Sequence, residues 1–243
     1  MPLHLQEAAQ SPVPLCIAEH AARGDHAVGL NENKEVTMAN VKLGTKAVGS
    51  IVKIKVNGAS KDFIVVQQGN PNTSTYDSSC NGTWLLMKDI YTTSTFGNNN
   101  SYKDSSIHTY LNGTFYNLID SNIRAAIKQV KIPYQNGTGS GGSLATGSNG
   151  LSTKVFLLSG YEVGWTTSDN GYFQKDGMRL AYFGNSSSGN SKRIAYNGSS
   201  AAIWWLRSPN TNNNNNVWNV NTDGSNNNNW YNNSYGVRPA LME

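Results

Sequence analysis

Residues 204–209 read WWLRSP, residues 235–241 read YGVRPAL, and residues 210–233 between them read NTNNNNNVWNVNTDGSNNNNWYNN. Fourteen of the twenty-four residues in this asparagine segment (residues 210–233) are asparagine. Asparagine is disfavoured in helices and strands, because its amide competes for the hydrogen bonds of the backbone. The two flanks carry aromatic and branched residues that fill cores. The pattern therefore predicts a polar surface carried on a packed scaffold, which is typical of recognition.

Five large apolar residues interrupt the asparagine run, namely Val217, Trp218, Val220, Trp230 and Tyr231. Because such residues need a scaffold to pack on, we expect them to anchor the segment while the asparagine side chains point outward. The predicted ligand-binding surface consists of Asn210, Asn212, Asn213, Asn214, Asn215, Asn216, Asn219, Asn221, Asn226, Asn227, Asn228, Asn229, Trp230, Tyr231, Asn232 and Asn233. The alternative interpretation is a low-complexity surface loop that has no partner.

The composition favours a folded domain and argues against a nucleic-acid partner. Hydrophobic residues make up 37% of the 243 residues, so a sizeable core can form. Charged residues make up only 14%, below the roughly 25% of an average soluble domain. The net charge is +4, and the basic residues form no stripe that would follow a phosphate backbone.

The chain divides into two parts by composition. Residues 1–37 contain scattered prolines and no sustained period, so we interpret them as an appended or poorly ordered segment, followed by a domain over residues 38–243. No apolar run is long enough for a membrane span, and no signal peptide is apparent. Cys16 and Cys80 are interpreted as two free thiols, with a single disulfide bridge as the alternative.

Local patterns predict an α+β fold with small antiparallel sheets, two helices and long loops. Alternating residues on both sides of Asn57-Gly58 predict a β-hairpin, and the apolar run 83–87 predicts a strand that is buried on both faces. Further strands are predicted at 154–159, 203–207, 217–221 and 235–241, with a turn at Asp223-Gly224.

Two helices are predicted from their capping residues. Ser105-Ser106 caps the first, which Asn112-Gly113 ends, and Asp120-Ser121 caps the second, whose apolar residues recur at helical spacing as far as Val130. Residues 135–152 and 184–200 are rich in glycine, serine and asparagine and are predicted to be loops.

The order of motifs resembles a known family. Tyr110-Leu111-Asn112-Gly113, the strand at 155–159, WWLRSP and GVRPAL occur in the order found in bacterial and phage proteins with a C-type-lectin-like fold. The resemblance covers roughly residues 40–243. Some members of this family are variable proteins of diversity-generating retroelements, in which an error-prone reverse transcriptase misreads adenines and rewrites the 3′ end of the target gene.

This resemblance implies a ligand-binding protein with a variable region at about residues 204–241. Asparagine codons are preferred targets of adenine misreading, since changing their first two bases reaches many residue types and no stop codon. The variable regions of such members contain far more Tyr, Ser, Asp and His than this chain does. The asparagine segment therefore has the character of a template that has been little diversified.

The sequence gives little support to an enzyme or a metal site. Formylglycine-generating enzymes share the lectin-like fold and use reactive cysteines near the C-terminus, whereas the last cysteine here is Cys80. Residues 221–224 resemble a calcium loop only faintly, because the spacing and the terminal glutamate of such loops are missing. We therefore expect no enzymatic activity, no cofactor and no metal.

The tryptophans and arginines of the two flanks are interpreted as structural. We expect at least one of Trp204 and Trp205 to lie in the core, and we expect Arg207 and Arg238 to stack on tryptophan or bond loop carbonyls. The expected partner is a protein or a surface glycan, at a phage tail or a bacterial cell surface, with the oligomeric state left open. A structural or adhesive module with an inert asparagine loop is the alternative function.

Overall fold

Short strands supply most of the regular structure of the protein. The computed structural model describes residues 43–137, 142–172, 174–185 and 189–243, all within one unit, Glu35–Glu243. The segment 1–37 and its predicted boundary lie outside the described residues. The strands are β1 (Ile51–Val56), β2 (Ala59–Gln68), β3 (Thr83–Met87), β4 (Thr92–Thr95), β5 (Val130–Ile132), β6 (Tyr134–Gln135), β7 (Leu144–Ala145), β8 (Leu151–Thr153), β9 (Val155–Phe156), β10 (Tyr196–Asn197), β11 (Ser200–Ala201), β12 (Trp204–Pro209), β13 (Asn216–Val220), β14 (Asn226–Trp230), β15 (Ser234–Val237) and β16 (Ala240–Met242).

The helices are few and short, which confirms the prediction of a mixed α+β fold with small, mostly antiparallel sheets. In the described part of the chain, no helix is both long enough and apolar enough to cross a bilayer. The α-helices are α1 (Ser106–Tyr110), α2 (Tyr116–Leu118), α3 (Ser121–Arg124) and α4 (Asn190–Arg193). A π-helical turn spans Leu111–Phe115, and 3-10 turns span Leu43–Thr45, Ser78–Cys80 and Tyr102–Asp104.

The first five-stranded sheet has the order β1-β2-β3-β16-β9, and all of its neighbouring strands are antiparallel. Asn57 and Gly58 form the two-residue turn between β1 and β2 with φ values of 51° and 73°. Two left-handed residues match the twist of the adjoining strands, so the predicted hairpin is confirmed. Every residue of β3 is buried, as predicted for a strand buried on both faces, and β2 and β16 pair with its two edges.

The second five-stranded sheet has the order β14-β13-β12-β15-β4, with β12 at its centre. All six residues of β12 are buried. The strand predicted over 235–241 is divided, since β15 joins this sheet and β16 joins the first one. Arg238-Pro239 carries the chain from one sheet to the other, and proline interrupts the ladder because it has no N–H to donate.

The two helix predictions are right at their starts and wrong at their ends. Ser105 and Asp120 cap α1 and α3 as expected, by accepting the backbone N–H of His108 and of Asn122. Asn112-Gly113 does not end the first helical segment, which continues to Leu118.

The second helix ends at Arg124 instead of reaching Val130, which lies in β5 and pairs with Thr153 of β8. A non-local strand partner therefore overrides the local helical spacing at this point. The described parts of 135–152 and 184–200 also contain short elements in place of uninterrupted loops, and the strand predicted at 154–159 is confined to β9.

A buried ion pair holds β12 to the segments that surround it. The guanidinium of Arg207 donates to Glu162 through Nη1–Oε2 at 2.5 Å and Nη2–Oε1 at 2.7 Å. It also donates to the backbone carbonyls of Pro133, Leu157 and Asp176. All five N–H groups of the guanidinium thus have acceptors, as a buried arginine requires. The structural role predicted for Arg207 is confirmed.

A second carboxyl group lies beside this pair. Asp176 is buried and accepts a hydrogen bond of 2.7 Å from the hydroxyl of Ser208, while its Oδ1 has no partner among the described residues. Burial raises the pKa of the Asp176 carboxyl to about 6, against the opposing effects of Arg207 and of the Ser208 hydrogen bond. Glu162 adds to the rise, because its negative charge disfavours the ionised form of a nearby carboxyl.

We expect Asp176→Asn to change how stability depends on pH. Because the folded pKa of Asp176 lies above the value of 3.8 for a free aspartate, the folded state binds the proton more tightly. The free energy of unfolding should therefore fall between about pH 4 and about pH 6 and level off above. Asparagine can keep the Ser208 hydrogen bond but never ionises. The free energy of unfolding of the variant should therefore not fall over this pH range, and the variant should gain stability relative to wild type near neutral pH.

Urea unfolding of both proteins across this range measures the effect, and Asp120→Asn, which retains a helix-capping acceptor, is the control. A difference between wild type and Asp176→Asn that does not vary with pH would contradict the role given to Asp176.

The side chain of Asn112 joins the helical segment to β8 and β9, so its removal is predicted to have a large effect on stability. Its side chain donates to the carbonyls of His108 and Val155 and accepts from Thr153 Oγ1 and from the N–H groups of Lys154 and Val155. We expect Asn112→Ala to lower the free energy of unfolding by roughly 1–3 kcal/mol, because several backbone groups lose their partners.

The control is Asn117→Ala, an exposed position on the same helical segment whose side-chain oxygen accepts a hydrogen bond from Arg124. Chemical denaturation of the two variants should separate them clearly, and equal losses of stability would show that Asn112 is not a junction.

Candidate functional site

The asparagine segment extends from a strand whose aromatic residues are fully buried. Trp204 donates its indole N–H to the carbonyl of Arg193 at 2.9 Å, and Trp205 donates to the carbonyl of Ser94 at 3.0 Å. The guanidinium of Arg238 lies 4.8 Å from the centre of the Trp204 ring. Both tryptophans therefore belong to the core, and Arg238 stacks on tryptophan as predicted.

Arg238 also bonds loop carbonyls, as the sequence suggested. It donates to the carbonyls of Met87, Lys88 and Arg193. Burial lowers the pKa of its guanidinium to about 10, because the charged form loses hydration. These residues on each side of the asparagine segment thus make internal contacts.

The asparagine segment forms a two-stranded hairpin, β13 and β14, at the edge of the second sheet. The register runs from Asn216 opposite Trp230 to Val220 opposite Asn226. The turn predicted at Asp223-Gly224 is confirmed: Gly224 has a φ of +80°, and a Cβ there would lie 2.0 Å from the carbonyl oxygen of Asn190. Glycine is therefore required at this position.

β14 is a strand that the sequence did not predict, since four of its five residues are asparagine. The ladder from β13 overrides the low strand propensity of asparagine, which depends strongly on context. The amide of Asn227 accepts the backbone N–H of Asn228 at 2.8 Å. In this way a side chain satisfies a backbone group at the sheet edge, where no other strand in the described part of the chain pairs with β14.

The pairing register assigns each residue of the hairpin to one of two faces. Residues directly opposite each other in an antiparallel pair share a face, and successive residues alternate. One face, here called the Trp230 face, carries Asn216, Trp218, Val220, Asn226, Asn228 and Trp230. The opposite face carries Val217, Asn219, Asn227 and Asn229.

A single amide holds the loop that precedes β13. Asn100 is buried, and its Nδ2 lies within 3.4 Å of the carbonyl oxygens of Asn210, Asn213 and Asn216. Asn210 in turn accepts the N–H groups of Asn212 and Asn213 through its own side chain. The loop 210–215 is therefore shaped from within by amides rather than by an apolar cluster.

The structure divides the predicted binding residues into three classes. Six of them are exposed, namely Asn212, Asn213, Asn214, Asn215, Trp230 and Asn232. Eight are partly buried, namely Asn216, Asn221, Asn226, Asn227, Asn228, Asn229, Tyr231 and Asn233. Asn210 and Asn219 are buried, with 5% and 0% of their surface exposed.

The expectation that all the asparagines point outward is wrong for these last two residues. Asn219 lies opposite Asn227 on the face that Trp205 also occupies, and the core covers it there. Asn210 turns inward because its oxygen closes the loop. Tyr231 is only partly exposed, since its backbone binds Asn215 and Phe96 and its side chain packs against the core.

Sequence reasoning missed Tyr172, which borders the same surface. The Tyr172 side chain is 49% exposed, and its carbonyl oxygen accepts the N–H of Thr211 at 2.8 Å and the indole N–H of Trp218 at 3.2 Å. Both donors lie in the asparagine segment, about forty residues further along the chain. No local pattern around Tyr172 indicates this contact, because only the folded chain brings the two segments together.

A separate surface groove of about 420 Å³ contains none of the predicted binding residues. Its walls come from β1, β2, the end of β3 and the β10–β11 hairpin, and they include Lys61, Lys88 and Tyr196. Among the described residues, no group of three or more His, Cys, Asp and Glu side chains could hold a metal ion. Cys80 is a free, buried thiol, as predicted, while Cys16 lies outside the described residues.

Comparison with known proteins relates the chain to one family. No curated protein and no solved structure is significantly similar to it. The family described as Domain of unknown function (DUF6273) matches residues 81–242. The match covers well over half of the chain and includes both flanks and the asparagine segment between them, so the chain belongs to the DUF6273 family.

Proposed function

We propose that this chain is a ligand-binding protein with a C-type-lectin-like fold, that the asparagine segment is its recognition surface, and that adenine mutagenesis by a retroelement diversifies this surface. The observation that carries the proposal is the separation of roles along the chain. The flanks are buried and bonded internally, whereas six of the sixteen predicted binding residues are exposed on one hairpin and its loops. Substitution at those exposed positions leaves the contacts of the scaffold in place.

The energetics of an asparagine surface fit an undiversified receptor. A neutral hydrogen bond contributes only about 0.5–1.5 kcal/mol net, so a surface of amides alone binds weakly. Tyr, Trp and Arg dominate the energetics of interfaces, and changes at the first two bases of an asparagine codon reach Tyr and Arg but not Trp. Trp230, with 58% of its surface exposed, is the one tryptophan among the exposed large hydrophobic residues of the described chain.

The gene itself tests the proposed diversification. We expect the DNA around the gene to contain a near-identical non-coding repeat of the region that encodes residues 204–241, with differences confined to adenines and a reverse-transcriptase gene nearby. Sequencing a few kilobases on each side is sufficient. Ordinary mixed codons in the asparagine segment, with no repeat nearby, would overturn the proposal of diversification by a retroelement. They would favour a structural or adhesive module, in which the amides serve mainly to bond one another.

Recognition by a variable surface also predicts that exposed asparagines are dispensable for folding. We expect the combined variant Asn212→Ala, Asn214→Ala, Asn215→Ala and Asn232→Ala to keep the thermal midpoint of wild type, since exposed substitutions usually change stability by less than about 0.5 kcal/mol each. Asn210→Ala is the contrast, because its side chain accepts two backbone N–H groups.

Loss of those bonds should lower stability by roughly 1–3 kcal/mol and reduce the midpoint in a thermal melt. A large drop in the fourfold variant would contradict the separation between scaffold and surface on which the proposed function depends.

A further inference from the structure

Two exposed aromatic residues lie next to the buried Trp218, which belongs to the Trp230 face of the hairpin. Trp230 and Tyr172 are 58% and 49% exposed, and they come from segments that are far apart in sequence. Trp218 connects them, because it lies on the same face as Trp230 and donates its indole N–H to the carbonyl of Tyr172. Diagonal neighbours on a strand pair are about 7–8 Å apart, which places Trp230 one such step from Trp218.

Oriented amides lie beside these rings. Asn228 lies opposite Trp218, and its Oδ1 accepts the amide protons of Asn210 at 3.0 Å and of Asn216 at 2.6 Å. These bonds fix the directions of the three side chains before any ligand arrives. Each amide nitrogen carries two protons, so a second proton of the partly exposed Asn216 remains for a ligand. The face therefore combines fixed amide groups with flat apolar rings.

Charged residues are scarce along the asparagine segment itself. Between residues 208 and 235, the only charged side chain is Asp223. It binds Ser225 in the turn at the far end of the hairpin. Trp230 lies four residue steps along β14 from Asn226, where the strand begins, a distance of about 13 Å. The hairpin therefore offers no charged partner to a ligand at Trp230, and the charged residues nearest to Tyr172 in sequence are Asp169 and the exposed Lys175, three residues away on each side.

We propose that the Trp230 face binds a neutral oligosaccharide, with sugar rings stacked on Trp230 and Tyr172 and hydroxyls bonded to the amides of Asn216 and Asn228. The proposal rests on the proposed function and names the class of its ligand. The C–H faces of a pyranose ring are apolar and match an aromatic ring, while each hydroxyl both donates and accepts, as a primary amide does. A protein partner would draw on apolar anchors over a wider area than two rings provide.

Isothermal titration calorimetry of the full chain with neutral hexasaccharides tests this proposal. The probes are maltohexaose, cellohexaose and hexa-N-acetylchitohexaose, with sialyllactose as the charged comparison. We expect at least one neutral probe to bind with a Kd of about 1 mM or tighter, and binding to persist in EDTA because the contacts require no metal. Trp230→Ala and Tyr172→Ala should each weaken that binding about tenfold or more.

Tyr196→Ala is the matched control, since Tyr196 is 44% exposed but lies in the separate groove. It should leave the affinity unchanged. Thermal melts check that Trp230→Ala is folded, as we expect because the Trp230 side chain is exposed. Binding that survives both aromatic substitutions would overturn the proposal, and so would stronger binding of sialyllactose than of every neutral probe.

Failure of this inference can be told apart from failure of the proposed function. If no probe binds at about 10 mM while the adenine-variable repeat is present in the DNA, the oligosaccharide proposal is overturned and a protein becomes the partner of the same surface. If a neutral probe binds through Trp230 while the repeat is absent, the surface is a fixed saccharide-binding site, and the proposal that a retroelement diversifies it is overturned instead.

Discussion

The buried pair between Arg207 and Glu162 is the interaction on which the rest of the structure depends. One guanidinium links the central strand β12 to the segments that contain Pro133, Leu157 and Asp176. Removing two charges from water is costly, so the pair is tolerated only because all five N–H groups of the guanidinium are paired. Loss of either partner would leave an uncompensated charge in the core. This constraint fixes β12, and β12 fixes the register of the asparagine segment that follows it.

Because the hairpin is attached to the buried strand β12, its exposed side chains can vary. Backbone pairing attaches the hairpin β13–β14 to β12, and the side-chain amide of Asn100 bonds the loop before the hairpin. Backbone ladders and a single internal amide make few demands on the identity of exposed side chains. Local sequence can therefore change at the surface while the register persists, which is the physical basis for proposing a diversified recognition surface there.

Where sequence reasoning was wrong, non-local contacts were responsible. Val130 continues the helical spacing of the apolar residues that precede it, but in the folded chain it pairs with Thr153 of β8. Residues 226–229 have the composition of a loop, but β13 pairs with them along their whole length. Asn219 resembles the exposed asparagines in sequence, yet it pairs with Trp205 of the central strand and is buried in the folded chain. In each case the competing partner is distant along the chain and has no local signature.

By itself, the sequence determined the α+β class, the turn at Asn57-Gly58, both helix caps, and the internal roles of Arg207 and Arg238, because these depend on short-range geometry or on residue chemistry. It also delimited the asparagine segment as the surface of interest. Only the tertiary structure decided which asparagines are exposed, since burial depends on the strand register, and only it brought Tyr172 beside Trp218. Side-chain direction and the meeting of distant segments are properties of the folded chain.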